Sequence, residues 1–331
     1  MIWDYNPMFI DKYSRKINYL RISVTDKCNL RCIYCMPEDG VPLLNHNDIL
    51  RIEEILRIVK IFVKNGVNKI RITGGEPLVR KGILNLISGI REIMPTGDLS
   101  ITTNGTLLNI YGKKLFEHGL DRVNISIDSL NRKTYKEITR RDMLPQVLEG
   151  LELISKLPYK KIKINMVPIK NTNEKEIIDF INLSKENDYQ IRFIEFMPFN
   201  GETNWKDKYL IPSEIILKTI KEHFSIEEIE QSDTAKLYKI KNFQGTFGLI
   251  SPMTEHFCER CNRMRLTANG LLRPCLFSEK MISIKEALRT SLTDTELEQI
   301  IFDAIKLKPI SNPILDEDGK KTDLPMNYLG G

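Results

Sequence analysis

The sequence has no uninterrupted apolar stretch near the roughly 20 residues that a membrane-spanning helix requires. The segment from Met1 to Tyr13 lacks the basic start and the apolar centre of a signal peptide, because Asp4 and Asp11 interrupt it. A large excess of one charge is also missing, since 49 Lys and Arg residues face 44 Asp and Glu residues and the net charge is +5. So mild an excess does not imply nucleic acid, although it permits a small anionic substrate. We therefore expect a cytoplasmic protein with no membrane and no nucleic-acid partner.

Histidine is scarce, with four residues in a chain of 331. Nothing around them in the sequence suggests acid–base catalysis, and we expect all four to be structural: His46, His118, His223 and His256. The composition, with 41 per cent apolar and 28 per cent charged residues, is typical of a soluble globular protein. A chain of this length can bury a sizeable core, and we expect one large domain with an appendage.

Cysteine is sparse too, but all six residues fall into two groups of three. The first group has the spacing CxxxCxxC, and the second is a CxxC pair followed by a more distant cysteine; the groups are Cys28, Cys32 and Cys35, then Cys258, Cys261 and Cys275. In a reducing cytosol such groups are more often metal ligands than disulfides. Three thiolates can hold one face of a [4Fe–4S] cube and leave one iron without a protein ligand.

Zinc is the main alternative to an iron–sulfur cluster at both groups. A zinc site usually takes four ligands, and the first group has no fourth cysteine or histidine nearby, since the next histidine is His46. The second group fits zinc better, because a CxxC pair is a common half of a zinc site and His256 could complete it. An iron–sulfur site already present in the chain favours a second cluster over zinc.

The first two thirds of the sequence alternate between short β-branched runs and longer stretches of helical periodicity. The runs predict strands over 19–25, 69–73, 99–103, 122–128, 162–168 and 191–196, and the longer stretches predict helices over 48–65, 83–94, 107–118, 145–157 and 174–187. This alternation favours right-handed βαβ units and an α/β fold, namely an incomplete (β/α)6 TIM-like barrel. In such barrels the chemistry takes place at the C-terminal ends of the strands.

The rhythm changes beyond about residue 212, where two hairpins are predicted over 237–250 and 264–274. The second hairpin contains Asn269-Gly270, a sequence typical of a type I′ turn, and would bring Cys261 close to Cys275. Terminal helices are predicted over 284–289 and 294–307. We therefore divide the chain into a partial barrel with the first cluster, residues 1–230, and a C-terminal α+β extension, residues 231–331, with the second cluster, substrate contacts and a Gly-Gly tail.

Two motifs together resemble the radical S-adenosylmethionine (SAM) superfamily over roughly residues 15–230. One is the first cysteine group with Tyr34 inside it, and the other is Gly74-Gly75-Glu76-Pro77 after the second predicted strand, where two glycines let the backbone approach a ligand closely. The resemblance implies a [4Fe–4S] cluster whose open iron binds SAM, and reductive cleavage of SAM to a 5′-deoxyadenosyl radical. It also implies SAM contacts from four residues: Tyr34, Gly75, Ser126 and Met197.

A more specific resemblance spans essentially the whole chain. The run Arg21–Cys28, the segment Cys258–Thr267 with its Asn-Arg-Met-Arg-Leu core, the spacing to Cys275 and the terminal Gly-Gly are similar to the GTP 3′,8-cyclase family, which catalyses the first step of molybdenum cofactor biosynthesis. The resemblance implies lyase-type chemistry: hydrogen abstraction from C3′ of the GTP ribose and ring closure to C8, which yields (8S)-3′,8-cyclo-7,8-dihydroguanosine 5′-triphosphate. It implies that the second cluster is also [4Fe–4S] and faces the guanine base.

The same resemblance implies which residues touch GTP. Arginine suits phosphate and guanine edges because its guanidinium group forms paired hydrogen bonds. The matching positions are Arg21, Arg71, Thr102, Lys163, Arg263, Met264 and Arg265, to which we add Lys69 and Arg192 because they share strand faces with them. Gly330 and Gly331 are expected to enter the active site and assist catalysis, although by themselves they would be read as a frayed end.

Partners follow from the resemblance in the same way. It implies a reductant such as flavodoxin or ferredoxin and, downstream, cyclic pyranopterin monophosphate synthase; the chain itself is expected to be a monomer or homodimer. Two alternatives remain open. One is a twin-cluster radical SAM enzyme that modifies peptides, and the other is a zinc-binding nucleic-acid module.

Overall fold

A computed structural model of the chain describes residues 9–197, 208–229, 234–255 and 257–311. Within these ranges, twelve strands form one sheet in the order β12-β11-β10-β1-β2-β3-β4-β5-β6-β9-β8-β7. The first six strands are neighbours in chain order, and each pairs in parallel with the next: β1 (Tyr19–Ser23), β2 (Lys69–Thr73), β3 (Asp98–Thr103), β4 (Arg122–Ser126), β5 (Lys161–Met166) and β6 (Tyr189–Ile194). The predicted series of six parallel strands is therefore confirmed.

Helices connect these strands and cover the outer face of the sheet with apolar side chains. They are α1 (Ile52–Lys64), α2 (Ile83–Ile93), α3 (Leu108–Glu117), α4 (Arg132–Thr139), α5 (Leu144–Ser155) and α6 (Ile177–Asn182). In α1, for example, Ile55, Val59 and Phe62 recur at helical spacing and are buried in the main core. The predicted helix over 174–187 is shorter than expected, because a 3-10 turn over Glu174–Glu176 precedes α6.

Helix α4 was not predicted. Its apolar side chains are few, chiefly the buried Tyr135 and Ile138, so little in its sequence marks it as a packed helix. A side-chain cap defines its start, where Asn131 accepts hydrogen bonds from the backbone of Lys133 and Thr134.

The C-terminal region continues the same sheet at both ends. Strand β9 (Thr246–Ile250) pairs in parallel with β6, and β10 (Arg263–Leu266) pairs in parallel with β1. Antiparallel strands extend each end: β8 (Lys236–Ile240) and β7 (Ile226–Glu228) beyond β9, and β11 (Leu271–Arg273) and β12 (Ile282–Ser283) beyond β10. Both predicted hairpins are present, and the parallel series grows from six strands to eight. In the described part of this region the helices are α7 (Ser213–Lys221), α8 (Lys285–Arg289) and α9 (Asp294–Lys306).

The turn between β10 and β11 differs from the prediction. A type I′ turn needs a positive φ angle at both central residues, but here only Gly270 has one, at 82°, and Asn269 does not. The backbone of Thr267 donates to the oxygen of Leu271 at 3.0 Å and accepts from the nitrogen of Gly270 at 3.0 Å. The loop therefore has three residues, and the type I′ prediction is wrong. The Thr267 hydroxyl explains the change, because it bonds to Leu271 N at 2.8 Å and to Asn269 Oδ1 at 2.6 Å.

Among the described residues, no helix combines the length and the apolar composition needed to cross a membrane.

Candidate functional site

A cavity of ≈ 560 Å³ lies on the inner face of the sheet. Its lining comes from β1 to β6, from β8, β9 and β10, and from the loops that carry the second cysteine group. Because strands from both ends of the sheet contribute, the sheet wraps around the cavity. Most residues predicted to bind SAM, GTP or the second cluster line it: Tyr34, Ser126 and Met197; Arg21, Lys69, Arg71, Thr102, Lys163, Arg192, Arg263 and Arg265; Cys258, Cys261 and Cys275.

Strand alternation explains why these side chains meet. Successive residues of a strand point to opposite faces, so Lys69 and Arg71 face the cavity while Ile70 lies in the core between them. The same rule corrects the prediction for Met264, which lies between two cavity-lining arginines. Its side chain is 0 per cent exposed and packs in the main core, so it does not reach the cavity.

Positive side chains form a row across the cavity wall. Arg21 pairs in register with Arg71 on one side and with Arg265 on the other. Burial, together with the charge of Arg265, holds the pKa of Arg21 well below its usual value. Burial, together with the charge of Arg192, lowers the pKa of Lys163 to about 5. None of the described lining residues is Asp or Glu, so an anionic ligand would relieve repulsion that the cations exert on one another.

Tyr19 is a cavity residue that was not predicted. Its ring lies 4.7 Å from Lys69 Nζ and 5.6 Å from Arg71 Cζ, within the range of cation–π contacts. Burial acts to raise the pKa of its hydroxyl, but neighbouring cations, first Arg71 and then Arg21, lower it overall. The buried hydroxyl has no hydrogen-bond partner among the described residues. Its position two residues before Arg21 on β1 is the sequence signal that could have revealed it.

Arg122 and Asn165 also line the cavity and were not predicted. Each lies on the same strand face as a predicted contact: Arg122 is four residues before Ser126, and Asn165 is two residues after Lys163. Strand alternation applied to β4 and β5 would therefore have indicated both.

The first cysteine group lies at the edge of the cavity, in a loop that the unpredicted helix α4 holds. The backbone nitrogens of Arg31 and Ile33 donate to the carbonyl oxygens of Thr139 and Ile138, at 3.0 and 2.9 Å. Burial raises the pKa of Cys28 to about 11, and burial together with Asp128 raises the pKa of Cys32 well above its usual value. Both thiols therefore keep their protons until a metal displaces them.

Tyr34 is fixed by a buried carboxylate that was not predicted as a site residue. Its hydroxyl donates to Asp128 Oδ2 at 2.6 Å, and Asp128 also accepts from the backbone nitrogen of Val167 at 2.9 Å. Burial raises the pKa of Asp128 to about 6, although both hydrogen bonds oppose the rise. The pair joins the cysteine loop to the ends of β4 and β5.

The glycine-rich turn after β2 packs against the backbone that leads into the cysteine loop. A side chain at Gly75 would clash with the carbonyl oxygens of Asp26 and Lys27. The backbone nitrogens of Gly75 and Glu76 donate to Thr25 O at 2.7 Å and to Lys27 O at 2.8 Å. We expected these glycines to let the backbone approach a ligand closely. In the structure the close approach at Gly75 is to the backbone of Asp26 and Lys27. The SAM contact assigned to Gly75 stays a prediction.

The second cysteine group surrounds the other end of the cavity. Cys258 lies in a 3-10 turn, Cys261 lies two residues before β10 and Cys275 lies two residues after β11, so the hairpin brings the last two together. Burial alone would raise the pKa of Cys261, but the nearby charges of Arg263 and Lys308 lower it to about 6. A thiol that loses its proton this readily suits a thiolate-bound metal centre.

The two groups meet at one place. Cys35 of the first group and Cys275 of the second pack against the same small apolar cluster, which contains Met253 and Phe277 and is also contacted by Met197. No three Cys, His, Asp or Glu side chains in the described ranges converge as ligands of a single metal ion. The fit of iron–sulfur clusters therefore rests on the two donor sets, three thiols that line the cavity and three thiols beside it. His256, Gly330 and Gly331 lie outside the described residues.

Comparison with known proteins divides the chain between two family models. Residues 22–184 match the Radical SAM superfamily, and residues 189–313 match Molybdenum Cofactor Synthesis C. A GTP 3′,8-cyclase of Thermodesulfovibrio yellowstonii is 44 per cent identical over 325 residues, which cover 97 per cent of this chain and 99 per cent of that protein. Molybdenum cofactor biosynthesis protein moc-5 of Caenorhabditis elegans is 42 per cent identical over 306 residues, 91 per cent of this chain and 51 per cent of the relative.

Among solved structures, Streptococcus suis SuiB bound to S-adenosylmethionine aligns with a TM-score of 0.60. The alignment covers 92 per cent of this chain and 69 per cent of SuiB, at 16 per cent identity. At this identity the likeness concerns the fold, and it agrees with the α/β sheet described above.

Proposed function

This chain belongs to the GTP 3′,8-cyclase family of radical SAM enzymes, and on that premise we propose that it converts GTP to (8S)-3′,8-cyclo-7,8-dihydroguanosine 5′-triphosphate. This reaction is the first step of molybdenum cofactor biosynthesis, in keeping with the family model matched by the C-terminal region. One observation carries the proposal. A single cavity is lined by the second cysteine group and by a row of cations, with the first cysteine group at its edge.

Two [4Fe–4S] clusters and SAM are the cofactors of this family, and the donor sets fit them. The ligands would be Cys28, Cys32 and Cys35 for the first cluster and Cys258, Cys261 and Cys275 for the second. When bound, SAM supplies the 5′-deoxyadenosyl radical that removes the hydrogen from ribose C3′. On that side of the cavity the chain's own part is positional, because the Tyr34–Asp128 hydrogen bond fixes the wall beside Ser126 and Met197.

The cations of the cavity bind the substrate. Arg21, Arg71 and Arg265 present guanidinium groups in one register row, where paired hydrogen bonds to phosphate oxygens or to the guanine edge are available. Burial and the charge of Arg192 lower the pKa of Lys163 to about 5, so an anionic ligand would raise this pKa and favour the protonated amine. The negative charge of GTP would therefore offset the mutual repulsion of the cations that line the cavity.

Arg265→Ala is expected to weaken GTP binding, because one charge-assisted hydrogen bond is lost. The loss should be about 1.5–3 kcal/mol, roughly 10- to 150-fold in Kd. Isothermal titration of the anaerobic protein with GTP measures it. Met264→Leu is the matched neighbour: its side chain lies in the core, so GTP affinity should stay unchanged. Equal affinities for the wild-type protein and Arg265→Ala would remove Arg265 from the site.

The Gly330-Gly331 tail completes the site in this proposal. Its support is the anchoring of the segment before it. Arg15 donates to Pro309 O at 2.6 Å and to Cys258 O at 2.7 Å, which fastens residues just after α9 beside the second cysteine group. Pro309 and Cys258, which lines the cavity, thus share one hydrogen-bonding side chain.

The proposal extends to partners. A one-electron donor such as flavodoxin or ferredoxin reduces the first cluster, and cyclic pyranopterin monophosphate synthase consumes the product. We propose that both encounters occur in the cytoplasm, with this enzyme acting as a monomer or homodimer.

Anaerobic reconstitution tests the function directly. Two [4Fe–4S] clusters predict about eight iron atoms per chain in a brown protein. With GTP, SAM and dithionite, the protein should form 5′-deoxyadenosine and the cyclised nucleotide, both measurable by liquid chromatography and mass spectrometry. A parallel reaction with ATP in place of GTP tests whether product formation requires the guanine base. A colourless zinc protein, or 5′-deoxyadenosine without cyclised nucleotide from wild-type protein, would contradict the proposal.

A further inference from the structure

Lys308 is a buried lysine that directly contacts the second cysteine group. It lies two residues after the end of α9, and only 1 per cent of its surface is exposed. Its ammonium group donates to Arg263 O at 2.7 Å and to Pro274 O at 2.7 Å, and it lies 3.4 Å from Cys261 Sγ. All three hydrogen-bond donors of the ammonium group are therefore accounted for, and one of them is directed at a cluster ligand.

The position of Lys308 ties together the parts of the hairpin that carry the cysteines. Arg263 is the first residue of β10, close to Cys261, and Pro274 immediately precedes Cys275. One ammonium group thus bonds to both arms of the hairpin where the thiols emerge. A buried charge of this kind is costly unless an opposite charge compensates it, and metal-bound thiolates supply negative charge at that point.

We propose that Lys308 is a positioning residue of the second cluster. Its ammonium group holds the Cys261 thiolate by an N–H···S hydrogen bond and thereby raises the reduction potential of the cluster. Hydrogen bonds to cluster sulfurs and nearby positive charge favour the reduced form, which carries one more negative charge. Groups behind a metal ligand also retain the metal, since they fix the ligand's orientation. The inference rests on the second cluster of the proposed function.

The test compares full-length proteins in which the first cysteine group is replaced by serine, so that only the second cluster is present. Lys308→Gln keeps donors for the two carbonyl oxygens but removes the positive charge, and Lys308→Met removes both. Redox titration followed by electron paramagnetic resonance should give a more negative midpoint potential for both variants. Iron release to a chelator should be about 10- to 100-fold faster for Lys308→Met.

Lys306→Gln is the matched control. It removes the same charge two residues earlier, from an exposed side chain that pairs with Asp303 at 3.2 Å, and it should leave the potential and the iron release unchanged. If Lys308→Met does not fold, Lys308→Gln carries the test. A midpoint potential in Lys308→Gln equal to that of the unsubstituted protein would overturn the inference. Iron content and product formation of the wild-type enzyme test the proposed function separately, so the two can fail independently.

Discussion

Cys32→Ser should abolish SAM cleavage, with 5′-deoxyadenosine falling to the level seen without protein. Cys32 is the middle cysteine of the first group and a proposed cluster ligand, and a serine hydroxyl is a harder and less acidic donor than a thiol. Burial already disfavours charge on this side chain, as the raised pKa of Cys32 shows. With two thiolates left, the cluster is lost or cannot hold SAM in place. Chromatography of anaerobic reactions with dithionite measures the product directly.

Cys258→Ser is the natural control for Cys32→Ser, since it makes the same chemical change in the other group. It should retain 5′-deoxyadenosine formation, which shows that serine substitution and reconstitution do not by themselves destroy the enzyme. Thermal unfolding of both variants checks that the fold survives. A Cys32→Ser protein that forms 5′-deoxyadenosine at the wild-type rate would mean that the first group has been misinterpreted.

The sequence predicted the parallel strands well, because each of them is a local pattern. In β2, Ile70 and Ile72 alternate with polar residues, and the predicted and observed bounds coincide. The strands that were predicted too long, such as β1 and β4, continue in sequence into β-branched residues that belong to the loops at the cavity. Beyond the ends of these two strands, Thr25 O accepts a hydrogen bond from Gly75 N, and Asp128 accepts one from the Tyr34 hydroxyl.

What the sequence could not show is which strands pair across long separations. Nothing local in β10 indicates that it lies beside β1, more than 200 residues earlier, or that β9 lies beside β6. These pairings close the wall around the cavity and place Arg265 next to Arg21. Pairing across such distances depends on the packing of the whole domain.

In the candidate site, too, the sequence revealed local patterns but not the contacts between distant residues. Cysteine spacing identified the two thiol groups, and the family resemblance, extended along shared strand faces, identified the cations that line one cavity. Asp128 and Lys308 were missed because their importance comes from what they touch, a tyrosine hydroxyl and a cysteine sulfur. Met264 was included because it stands within a family motif, although alternation along β10 would have directed its side chain to the core.

The second prediction concerns the uncoupling of radical formation from cyclisation. Cys258→Ser should reduce cyclised product far more than 5′-deoxyadenosine, because Cys258 belongs to the group that we propose to lie beside GTP. Its environment supports a separate role: Cys258 lines the cavity beside Phe257, whose ring lies 4.9 Å from Arg263 Cζ. Loss of the second cluster would therefore disturb the GTP contacts and leave the first group with all three of its thiols.

The ratio of 5′-deoxyadenosine to cyclised nucleotide measures this uncoupling. We expect it to rise by at least about tenfold in Cys258→Ser, which corresponds to about 1.4 kcal/mol of lost stabilisation for the cyclising step. GTP titration of the same variant should show weaker binding, since the second cluster and Arg263 share one wall. Equal loss of both products, with the fold intact, would contradict separate roles for the two groups, because it would mean that radical formation itself depends on the second cluster.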